Sequence, residues 1–177
     1  MKRPDSSQTE KKSLEDLVEL LADKDRKTRI KAIHSIGEFR NGGQAREAKA
    51  QRALMAILES GSPIERHLAA SYLRSGQAVP TLIKALKDQH YYVRSSAARR
   101  LGNIGDKSAI IPLREMLEHE GESRMTKLAA AIALAQLNDN FGATVIEQAL
   151  REEDDSNPYR QVAEFSLNYL KIKFPLT

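Results

Sequence analysis

Val93-Arg94-Ser95-Ser96-Ala97-Ala98-Arg99-Arg100-Leu101-Gly102 reads as one amphipathic helix, and its pattern returns along the rest of the chain. The basic residue Arg94 has counterparts at Arg29, Arg66, Lys127 and Arg160. The alanine Ala97 has counterparts at Ala32, Ala69, Ala130 and Ala163, and Leu101 at Ile36, Leu73, Leu134 and Leu167. Three columns thus hold through five copies without an internal gap, at separations of 37, 28, 33 and 33 residues. A fixed period of this size marks a stack of supersecondary units rather than a closed globule.

A second apolar helix precedes each copy and ends on Leu21, Leu58, Leu86, Leu117 or Leu150. Each unit is therefore a helix, a short turn and a helix. Pro80 and Pro112 lie near the starts of first helices, and Pro63 and Pro158 open second helices, where a missing N–H costs nothing. Ser13, Ser62 and Asn157 sit where N-caps belong. Gly37, Gly76, Gly102, Gly105 and Gly142 are expected at helix ends. The repeats are placed at 13–39, 45–75, 78–104, 107–138 and 142–170. Residues 1–12 are read as a flexible tail and 171–177 as a C-terminal tail.

Composition agrees with a helical array. Of 177 residues, 41% are hydrophobic and only 5% aromatic, and there is no Trp. The absence of Cys excludes disulfides and thiolate metal sites. Neither a secretory signal nor a membrane span is read, so the expected location is cytoplasmic. A net charge of +4, spread along the chain, points only faintly to an acidic partner.

The stretch from Asp88-Gln89-His90-Tyr91-Tyr92 through Leu101-Gly102-Asn103-Ile104-Gly105-Asp106 resembles the core of a HEAT-like repeat. It is similar to the short variety of phycobilisome-lyase-type proteins. The resemblance covers about residues 13–170 and implies an all-α, right-handed superhelix of five helix pairs. It also implies a ladder of turn Asp and basic residue, six positions apart within a copy, that ties neighbouring turns together: Asp23, Arg29, Asp88, Arg94, Asp154 and Arg160. Gly121 and Ser60 depart from the Asp column. Exposed pairs of this kind contribute about 0–1 kcal/mol each.

In such arrays the second helices line the concave face. A helical wheel puts Val93, Ala97, Ala98, Leu101 and Ile104 inward, and Tyr92, Ser95, Ser96, Arg99 and Asn103 outward. The same frame gives Lys27, Ile30, Lys31, His34 and Glu38 in the first copy, and Ile64, His67, Leu68, Ser71 and Ser75 in the second. The fourth copy gives Met125, Leu128, Ala129, Ile132 and Gln136, and the fifth Pro158, Gln161, Val162, Phe165 and Tyr169. The face is polar and basic toward the N-terminus and apolar toward the C-terminus. Leu128 to Ala135 is apolar all round, so a cover is expected: the tail carrying Ile172, Phe174 and Leu176, a partner's segment, or a second copy of this chain in a homodimer.

No P-loop, dinucleotide turn or nucleophile elbow occurs. His34 and His67 share the face without a recurring carboxylate, and solvated histidines are expected rather than a metal pair. His119-Glu120 is a single His-Glu pair, too few for the HEAT-like iron hydroxylases. Nucleic-acid binding is disfavoured by the few face cations, Lys27, Lys31 and Arg99. The expected function is a non-enzymatic protein-interaction scaffold, with no cofactor and no metal. Its partner-binding residues are Lys31, His67, Tyr92, Arg99, Leu128, Ile132, Phe165 and Tyr169. The resemblance supplies the alternatives: a bilin lyase-like or phycobilisome-associated factor, or a nucleic-acid-binding HEAT-like protein.

Overall fold

The computed structural model describes residues 12–39, 43–152 and 157–173. Residues 1–11 of the N-terminal tail, Asp154, Phe174 and Leu176 lie outside the described residues. Among the described residues ten α-helices follow one another: α1 (Leu14–Glu19), α2 (Arg26–Gly37), α3 (Gly43–Ser60), α4 (Pro63–Tyr72), α5 (Val79–Ala85), α6 (Tyr91–Ile104), α7 (Ile110–Glu118), α8 (Arg124–Gln136), α9 (Asn140–Glu152) and α10 (Pro158–Lys173). No strand occurs among the described residues. Each odd helix packs on the even helix after it, and the even helices pack in the order α2, α4, α6, α8, α10. This is an α-solenoid of five helix pairs.

Local chemistry sets the boundaries. Ser13 and Asp16 form a reciprocal capping box at α1, with bonds of 3.1 and 3.0 Å. Asp25 caps α2, Ser123 caps α8, and Asn157 accepts the Tyr159 N–H at 2.9 Å to open α10. Gly105 ends α6 in the left-handed region, φ 83°, which a side chain rarely adopts. The boundary expected at residue 170 falls inside α10, which runs on to Lys173 with Leu170 buried.

The alanine column Ala32, Ala69, Ala97, Ala130 and Ala163 is buried throughout, as are Ile36, Leu73, Leu101 and Leu134. Small residues on this column let successive second helices approach closely. Two of the glycines near helix ends also permit close approach, Gly102 between α6 and α8 and Gly142 between α9 and α8. A Cβ on Gly102 would lie 2.7 Å from Ala133 Cα, and one on Gly142 2.3 Å from the Ala131 carbonyl oxygen. Gly37 is the last residue of α2, and the Tyr72 ring fills the space a side chain there would need.

The apolar helix α8 needs no outside cover over most of its length. It packs against α6, α7, α9 and α10, and Leu128, Ala129, Ala130, Ala131, Ala133 and Leu134 are buried within the array. The wheel treated it as half wet because it considered one helix without its two neighbours in the stack.

Arg74, just past α4, fastens the first repeat to the second. Its guanidinium donates to the Gly37 carbonyl at 3.1 Å and the Phe39 carbonyl at 3.0 Å, and pairs with Glu47 of α3 at 2.8 Å. The buried Gln51 holds this turn by accepting the Arg74 N–H at 2.8 Å and the Ser75 N–H at 3.2 Å.

Candidate partner-binding face

Along one edge of the array, arginines reach from the first three second helices, α2, α4 and α6, into the following repeat. Arg29 pairs with Glu65 at 2.7 Å, Arg66 with Asp88 at 2.7 and 2.9 Å, and Arg94 with Glu122, at 2.8 Å for the terminal nitrogen. Each arginine also donates backward to its own turn: Arg29 to the Asp23 carbonyl, Arg66 to the Gly61 carbonyl and Arg94 to the Asp88 carbonyl. Of the three carboxylates, Asp88 belongs to the turn-Asp column, and Glu65 and Glu122 do not. Asp23 contributes its backbone to Arg29, while its carboxylate accepts the Asp25 N–H. Asp88 takes Arg66 rather than Arg94 through its side chain. Asp154, the ladder residue of the fifth repeat, lies outside the described residues.

The carboxylates of Glu65 and Glu122 were missed because neither stands in the Asp column. Glu65 comes from the first turn of α4, and Glu122 sits one place beyond Gly121. Both reach the position an aspartate would have filled. Side-chain exposures of 6% for Glu65, 11% for Asp88 and 4% for Glu122 remove these pairs from the class of exposed bridges. Burial pushes each carboxyl upward, but hydrogen bonds and the facing guanidinium outweigh it, and all three end below the ordinary carboxylate range. Open notches of about 470 Å³ lie on this edge between successive repeats; one is bordered by Leu86, Arg94, Met116, His119 and Glu122.

The second-helix face divides as follows. Lys31 and Arg99 are exposed, and His67, Tyr92 and Ile132 are half-buried. Phe165 is 75% exposed, Met125 49%, Tyr169 39% and Val162 38%. Leu128 is 1% exposed, so it is core and not a contact residue for a partner.

The histidines of this face are not simply solvated. His67 Nδ1 lies 2.9 Å from Ser96 Oγ and 3.2 Å from the Tyr92 carbonyl oxygen, across the seam between α4 and α6. Its ring meets Tyr92 edge-on at 5.7 Å, and Tyr92 stacks on His90 at 5.4 Å. His34 Nδ1 lies 2.7 Å from the Tyr72 hydroxyl across the seam between α2 and α4. Ser96, assigned outward on the wheel, is 2% exposed. Its bond to His67 is a seam contact, since a nucleophile must be reachable by substrate. Among the described residues, no three His, Cys, Asp or Glu side chains gather where a metal ion would sit. No helix among them is long and apolar enough to cross a membrane.

A family model for HEAT repeats matches residues 51–125 and 79–168. The chain belongs to the HEAT-repeat family. The HEAT match runs from within α3 to within α10 and takes in most of the face described above. The chain is also similar to the phycocyanobilin lyase subunit alpha of Picosynechococcus sp., 35% identical over 91 residues, which are 46% of this chain. It spans about a third of that protein, 32% of its length. Among solved structures it resembles a chain of the CpcE–CpcF complex of phycocyanin lyase from Nostoc sp. PCC7120, with a TM-score of 0.69 and 23% identity. That likeness covers 96% of this chain and 70% of the other, and at this identity it speaks for the HEAT fold alone.

Proposed function

We propose that this chain is a bilin-lyase-type HEAT subunit: it holds a phycobiliprotein-like partner on its second-helix face and takes part in attaching or removing that partner's chromophore. The observation that carries this reading is the 35% identity, over 91 residues, to a phycocyanobilin lyase subunit. The geometry supports it in a coarser way. A stack of repeats offers a long preformed surface, so a partner binds without ordering the array. Lys31 and Arg99 offer cations to carboxylates, whether on a protein or on a bilin's propionates. Tyr92, Ile132, Phe165 and Tyr169 offer apolar and aromatic area.

Two measurements test the proposal together. Phycocyanobilin titrated into the protein is expected to change its visible absorption spectrum, as a tetrapyrrole does on entering a chiral, apolar environment. Immobilised protein is expected to retain phycocyanin subunits, and an Arg99→Glu, Phe165→Asp double variant to lose them. Retention of phycocyanin without any effect on the bilin spectrum would assign the chain to the scaffold role. No effect in either assay overturns the lyase-type reading.

A further inference from the structure

The second-helix face is chemically two-ended, and this restricts what lies along it. In the first three repeats the cations Lys27, Lys31 and Arg99 are exposed, and among the described residues none has an ion-pair partner. Glu38, at the far end of α2, is the acid on that part of the face. The ten face positions of the fourth and fifth repeats carry no charged residue at all. There Met125, Val162, Phe165 and Tyr169 are exposed, an expensive arrangement for a surface meant to stay wet.

From these observations, and resting on the reading of this face as the partner site, we infer that the occupant is a polypeptide segment of opposite polarity. Its acidic end lies over α2 to α6 and its apolar end over α8 and α10. Length decides for a polypeptide against a small molecule. From α2 to α10 there are four helix-to-helix steps of about 8–10 Å each, so Lys31 and Phe165 stand roughly 35 Å apart along the array. One tetrapyrrole cannot touch both, whereas an extended segment of about ten to twelve residues can. Charge complementarity sets orientation and on-rate, and the apolar end holds the complex once formed.

The test uses the full chain and labelled synthetic peptides of about twelve residues, read by fluorescence anisotropy. One peptide has a Glu/Asp block followed by a Leu/Phe block, the second has the blocks in reverse order, and the third interleaves the same residues. One of the two block peptides is expected to bind, and the interleaved one to bind at least about tenfold more weakly. Lys27→Glu with Lys31→Glu is expected to weaken binding about tenfold at low salt and to flatten its salt dependence. Phe165→Asp is expected to cost about thirtyfold while leaving the salt dependence in place. These residues are exposed, so unchanged thermal melts show that the variants fold. Equal affinity for all three peptides, no binding by any, or insensitivity to both variants overturns the inference. So does a sedimentation mass twice that of the chain that Phe165→Asp halves, since a second copy would then own the apolar end. Because no bilin is present, a negative result here leaves the spectral test of the lyase reading independent.

Discussion

Gly102 sits in the interior of α6 with no room for a methyl group, Ala133 Cα and Cβ lying 2.7 and 2.9 Å from where one would be. Those atoms are helix backbone and its first carbon, so they cannot swing aside. Gly102→Val is expected to destabilise the fold by about 2–3 kcal/mol through overpacking. Gly76→Ala, at a position with nothing within 4 Å, is expected to stay within about 0.5 kcal/mol. Urea midpoints compare the two, and equal shifts would contradict the close-packing role. At this scale the sequence was only partly legible. Glycine after Leu101 suggests the end of a helix because that is its commonest use, and only the neighbouring repeat reveals the other one. The histidines are similar: nothing adjacent to His67 in the chain announces Ser96, which the stacking of α4 on α6 brings to it.

Among the elements, the ladder edge carries the clearest electrostatic consequence. Glu65, Asp88 and Glu122 have folded-state pKa values below those of the unfolded chain. Their stabilisation is complete above the unfolded values near pH 4, and it is lost as pH falls through the lower folded values. Thermal melts from pH 6 to pH 2.5 are therefore expected to show a steep loss in the wild type and a shallower one in Asp88→Asn. Parallel curves would mean that Asp88 is not coupled to Arg66. Arg94→Ala, which leaves Glu122 buried without its cation, is expected to cost about 3 kcal/mol. The arginine column was readable from its fixed spacing. Asp88 was readable with it, but Glu65 and Glu122 were not, because the ladder requires only an acidic oxygen at one point in space, and α4's first turn or the residue after Gly121 supplies it as well as the Asp column does.

For the whole molecule, the helix-pair stack was legible because its three columns repeat in phase, and HEAT membership follows the same columns. The face was legible as a set of positions but not as a set of exposures. Leu128 and Ser96 look outward on an isolated helix and are sealed by the neighbouring helices of the stack, Ser96 in the seam with α4, while Phe165 on α10 stays open. Long-range order in a stack rests on neighbour contacts rather than on the chain's path, and Arg74 takes this furthest. It clasps the end of α2 and the start of α3 by side-chain bonds, so the peptide link between them is mechanically redundant. A single protease cut introduced between residues 39 and 43 is expected to leave two fragments that elute together under native conditions and separate in Arg74→Ala. The first repeat would then behave as a detachable piece, one that can be made as its own polypeptide and clipped back on.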